Sequence, residues 1–175
     1  ADKALETFPQ EPELLAAKAV ALARLGDLQA ALAFSDAAFE EHGDTPYLWL
    51  ARGDVMLARA EKRADFCFEK GLSLARGNWF WHWMAARIYS FYRKSVLALK
   101  WAQAALALDP AQAVAWIEAA RNQTALGMAM QARDSLDQAR LLDAANPLLE
   151  PACAQAQQAG LFSRLTGWWR RRTGR

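Results

Sequence analysis

The sequence predicts an all-α protein: an α-solenoid of helix–turn–helix repeats closed by a C-terminal capping helix. Three observations predict it. Ala31, Ala64, Ala98 and Ala132 recur at intervals of 33, 34 and 34 residues. Each stands seven residues before a phrase of one kind. These are Ala38-Phe39-Glu40, Gly71-Leu72-Ser73-Leu74, Ala105-Leu106-Ala107-Leu108-Asp109-Pro110 and Ala139-Arg140-Leu141-Leu142-Asp143. A new apolar helix start follows within a dozen residues, with Trp49, His82 or Trp116 at a common phase. A unit of this length cannot bury its apolar face alone, so neighbouring units stack.

The totals agree. Of 175 residues 54 % are hydrophobic, enough to build a core and to exclude disorder. The richest apolar stretch, Trp79–Ala86, is interrupted by His82 and followed by Arg87. It falls short of the ~20 residues a membrane span needs. The two cysteines, Cys67 and Cys153, have no Cys or His at metal-ligand spacing and read as reduced thiols in helices. That favours the cytoplasm.

In chain order, residues 1–11 read as the end of a preceding partial repeat, since Ala4-Leu5 and Pro9 fit the recurring phrase. The solenoid is therefore expected to begin upstream. Four repeats follow over 12–146: 12–45, 46–78, 79–112 and 113–146. The first turns at Leu25-Gly26-Asp27-Leu28, the second has a turn one residue short, and the third turns at Tyr92-Arg93-Lys94-Ser95 without glycine. Asn146-Pro147 opens a capping helix within 147–160, with Asn as cap, Pro in the first turn and Gly160 as stop. Its Gln155, Gln157 and Gln158 suit a polar outer face.

These units resemble the tetratricopeptide repeat, a helix–turn–helix of 34 residues with an aromatic, small pairs, a Gly-Asp turn, then Ala, aromatic, Ala and Pro. The third unit carries Ala85-Ala86, Tyr89 and Ala98, and the fourth Trp116, Ala119-Ala120, Gly127 and Ala132. The resemblance implies a right-handed superhelix that binds other proteins and is no enzyme. No catalytic constellation, cofactor loop or metal site competes with it. His42 and His82 lie in different repeats and read as structural. Asn122-Gln123-Thr124 fits the glycosylation pattern but falls inside a helix.

In the family the first helix of each repeat lines a concave groove. Carried over residue by residue, its contact positions give Arg24, Tyr47, Leu50, Asp54, Phe80, Trp83, Arg87, Phe91, Ile117 and Arg121. The Lys and Asn that clamp a C-terminal carboxylate in chaperone-binding members are replaced by Ala16 and Val20, so that class of ligand is rejected. Aromatic side chains beside Arg87 and Arg121 point instead to a protein or peptide with apolar and acidic groups. The competing reading makes Trp83 and Phe91 inter-repeat core. Trp79, Trp81 and Trp83 span more than one helical face, so at least one should be exposed or covered by a partner. A self-associating oligomer using that patch is the alternative function.

The final segment, 161–175, is the second candidate surface. Arg164, Arg170, Arg171, Arg172 and Arg175 lie there with no Asp or Glu, alongside Trp168 and Trp169. Without these five arginines the chain carries 16 basic and 19 acidic side chains, so the body is mildly acidic and the tail basic. Trp beside Arg is the composition of an interfacial membrane contact or of an acidic-partner site, and packing onto the repeats competes with both. Nucleic acid is not expected, because the body offers no basic stripe. The overall expectation is an interaction scaffold in a bacterial, membrane-associated assembly. It places the chain in the cytoplasm at the inner face of the membrane and leaves the periplasm open.

Overall fold

A computed structural model describes residues 11–40 and 44–159. The expectations for 1–10, His42 and the 161–175 tail lie outside the described residues. Within them the chain is helical: α1 (Pro12–Leu25), α2 (Leu28–Glu40), α3 (Pro46–Ala58), α4 (Ala64–Leu74), α5 (Trp79–Phe91), α6 (Ser95–Leu108), α7 (Ala113–Ala125) and α8 (Ala129–Leu142). A further helix, α9, spans 149–159.

The helix ends follow local chemistry. Pro12 and Pro46 open α1 and α3, where a missing N–H and a fixed φ do no harm. Thr45 caps α3 by accepting the Leu48 N–H. Inside each helix pair one turn recurs. Asp27, Glu61, Lys94 and Met128 each donate a backbone N–H five residues back, to the carbonyls of Leu22, Met56, Tyr89 and Gln123. The residue before each donor is left-handed: Gly26 (φ 94°), Ala60 (56°), Arg93 (56°) and Gly127 (77°). This is the Schellman stop, for which glycine is the unstrained residue. Two of the four turns form without it. The short second turn and the glycine-free third turn thus keep the geometry of the others at some backbone strain.

Contacts divide the chain into two compact units, split inside α5 between Ala85 and Ala86. In the first, α1 packs on α2 and α3, and α3 packs on α4. Small residues fill those crossings: Ala16, Ala19, Ala23, Ala31, Ala38 and Ala51 are all buried. Gly53 takes the same logic to its limit. A Cβ there would lie 2.7 Å from the Phe68 ring, which is itself fully buried. In the second unit α7 packs between α6 and α8. Ala86, Leu99, Ala102 and Ala119 form one cluster, and Ile117, Ala120, Leu136 and Ala139 another. Leu149 and Ala152 of α9 join the latter, while Gln155, Gln157 and Gln158 face solvent.

Candidate functional site

In the first unit the fold gathers three residues separated widely in sequence. Asp54, halfway along α3, is 1 % exposed, and its Oδ2 accepts from Arg24 Nη2 of α1 at 2.5 Å. Arg24 itself is 39 % exposed, so the pair joins a surface cation to a buried carboxylate. Tyr47, in the first turn of α3, is half-buried beside this pair. Burial pushes its phenol pKa up, the Glu13 and Asp54 carboxylates push the same way, and Arg24 pulls it down. Tyr47 is therefore a neutral hydroxyl on a polar cluster shared by α1 and α3.

The start of α5 supplies aromatic surface. Phe80 and Trp83 lie with ring centroids 5.6 Å apart, Trp79 and Trp83 6.4 Å, and Phe80 and Trp81 5.2 Å. Each of the four is half-buried. None of the three tryptophans is fully buried, and together with Phe80 they form a self-packed ladder along one helix. His82, between them, turns Nδ1 to the Asn78 carbonyl at 3.2 Å, the position of a helix-end structural histidine.

Leu50 is 0 % and Ile117 1 % exposed. The structure thus places both expected groove residues in the core. First helices of stacked repeats touch neighbours on several faces, so an apolar residue at a groove position also satisfies a core position. Phe91, 55 % exposed, is not core. In the second unit Arg87 is exposed. Arg121 is 23 % exposed, lies 4.0 Å from Glu118 Oε2, and donates to the Leu148 carbonyl at 3.5 Å. It ties α7 to the approach to α9, a structural job that the groove reading did not foresee. Glu118, 3 % exposed, also accepts from Asn122 Nδ2 at 3.0 Å. Only this register, with residues four apart on one helix face, hinted at the Glu118–Asn122 bond.

Among the described residues no group of three His, Cys, Asp or Glu side chains could hold a metal ion. No described helix is long and apolar enough to cross a membrane. What the site offers is shape, aromatic area and fixed charge.

The sequence matches no family model and no curated protein. Solved structures do match. One is YrrB, described as a TPR protein with an unusual peptide-binding site: 22 % identity, 93 % of this chain, 83 % of that one, TM-score 0.55. Another is a mutant form of MamA: 18 % identity, 91 % of each chain, TM-score 0.53. Repeated helix pairs, a shared turn and alanine-lined crossings, taken with these likenesses, give the chain the fold of tetratricopeptide-repeat proteins.

Proposed function

We propose that the chain is an interaction scaffold whose first unit holds a partner segment carrying apolar and acidic groups. The observation that carries this reading is the half-buried aromatic ladder Phe80–Trp83 in α5. Aromatic side chains that are only half covered give large contact area at small entropic cost, and such residues dominate binding energy at interfaces. Tyr47 supplies a hydroxyl that can donate to a carboxylate, beside an Arg24 guanidinium that Asp54 already engages. The similarity of fold to a protein described as having a peptide-binding site supports the same class of function. Arg87 and Phe91, exposed on the later part of α5, are candidate contacts of the second unit and are tested separately.

A pull-down from native lysate tests the reading. The protein is compared with a Tyr47→Ser/Phe80→Ala variant of unchanged helicity. A partner captured by the first and lost by the second supports it; equal capture refutes it. Self-association through the tryptophans is the second reading, favoured by the ladder lying partly open. It predicts a dimer that the same variant disrupts in sedimentation. The Trp168/Arg170–Arg172 tail is proposed to add contact with an anionic surface, placing the scaffold at the inner face of a bacterial membrane.

A further inference from the structure

The turn edge of the second unit carries a feature unrelated to that face. A cleft of about 400 Å³ lies between the α5–α6 turn and the end of α7, lined by Arg93, Lys94, Val96, Leu97 and Leu126 among others. Its apolar members are unusually open: Val96 is 68 % and Leu126 38 % exposed. Its charge is one-sided. Both Arg93 and Lys94 are exposed, no carboxylate lines the cleft, and neither cation has an ion-pair partner among the described residues. Several other cations of the described surface are paired: Arg52 with Asp36, Arg59 with Glu61 and Arg140 with Asp137.

We infer that this turn edge is a docking surface for an acidic, amphipathic peptide segment of another protein. Its apolar side chains enter between Val96, Leu97 and Leu126, and its carboxylates meet Arg93 and Lys94. Charge complementarity selects the occupant. The C-terminal segment of this chain carries five arginines and no Asp or Glu, so its charge opposes occupancy. Arginine donates in a planar fork that matches a carboxylate, which suits Arg93 to the rim. The backbone adds a useful asymmetry. Arg93 occupies the left-handed position that Gly26 and Gly127 fill in two other turns, and Lys94 stands at the α6 N-cap without a side-chain cap bond. Glycine and serine are the favoured residues at these two places. An Arg93→Gly/Lys94→Ser variant therefore removes both cations while improving the turn, so it separates docking from folding.

The experiment pans a phage-displayed library of random peptides on the full chain. The expected pool is rich in Asp and Glu interleaved with Leu, Ile and Phe. A fluorescein-labelled peptide from it should bind the wild type and lose roughly tenfold in affinity with the double variant. That variant should melt no lower than the wild type. Val96→Ser should weaken the same peptide, and Arg93→Gln, with its backbone preference little changed, should reproduce part of the loss. A pool without acidic bias overturns the inference. So do peptides indifferent to these substitutions, including peptides lost only with Phe80→Ala, which would support the first unit's face alone. Sedimentation with phosphatidylglycerol vesicles, or self-association, that depends on Arg93 and Lys94 while peptide binding does not would assign the edge to lipid or to a second copy and overturn it as well.

Discussion

Replacing Gly53 by alanine should destabilise the protein, although alanine is the better helix former. Gly53 sits inside α3, where the exchange alone would contribute about 1 kcal/mol in favour of folding. The structure sets a larger opposing effect. The new Cβ would lie 2.7, 2.9 and 3.0 Å from three atoms of the Phe68 ring. Ordinary contact begins at 3.4 Å, so something must move by about 0.7 Å. The ring cannot swing into solvent, because Phe68 is 0 % exposed and its own helix packs on α3. Overpacking of a close-packed core typically costs ~1–3 kcal/mol. The net expectation is destabilisation of up to about 2 kcal/mol, or up to roughly 8 °C in Tm for a chain of this size. Thermal and urea melts of the four proteins of a double-mutant cycle give the answer. In a Phe68→Leu background the shorter side chain withdraws from the new methyl, and Gly53→Ala should become neutral or stabilising by up to ~1 kcal/mol. Stabilisation by Gly53→Ala alone, or the same penalty in both backgrounds, would refute the close-crossing argument.

Further outcomes are expected. Arg24→Gln leaves the Asp54 carboxylate buried without its guanidinium and should cost ~1–3 kcal/mol, much of it recovered in Arg24→Gln/Asp54→Asn, as urea midpoints would show. Burial foremost raises the pKa of Cys67, against the pull of Arg52 and Arg63, and that of Tyr47 as described. Both groups bind their protons more tightly folded than unfolded, so their contribution is intact at lower pH. It is lost as pH rises, Cys67 from about pH 8.5 and Tyr47 from about pH 10. Melting temperature against pH should fall in that range, less so in Cys67→Ser. Thiol labelling at neutral pH should reach Cys153 well before Cys67, which is 3 % exposed. Arg121→Ala should speed amide exchange in 149–159 more than in α1–α3, because it removes the bond to the Leu148 carbonyl. Replacing Arg170, Arg171 and Arg172 by Ser should abolish any salt-sensitive sedimentation with anionic vesicles, each arginine contributing ~1 kcal/mol there.

The fold class was legible because its signal is periodic. Ala31, Ala64, Ala98 and Ala132 are all 2 % exposed or less, so the feature that recurs in sequence is the one that lets helices approach. The candidate site was legible only by residue type. Position in a first helix did not separate Leu50 from Tyr47, since both are apolar or aromatic and one packs inward. Arg24 and Asp54 were both picked, but their pairing across 30 residues is a tertiary fact that no local pattern encodes. Arg121 was picked for its charge, but its bond to the Leu148 carbonyl was not legible, because a backbone partner leaves no trace in side-chain chemistry. The glycine-free turn at Arg93 was visible, yet only φ shows that the chain adopts the same stop there regardless.

The Arg24–Asp54 pair also bears on how α1 finds its place. Ala16, Ala19 and Ala23 make up most of its buried residues, beside Pro12 and Leu15, and alanine surfaces are smooth: sliding one helix along another by a turn exchanges one methyl contact for a similar one. A shift of that size, about 5.4 Å, would strand the Asp54 carboxylate away from its guanidinium. The alanines let the helices come close, and the buried Asp54 charge makes one alignment far better than its neighbours.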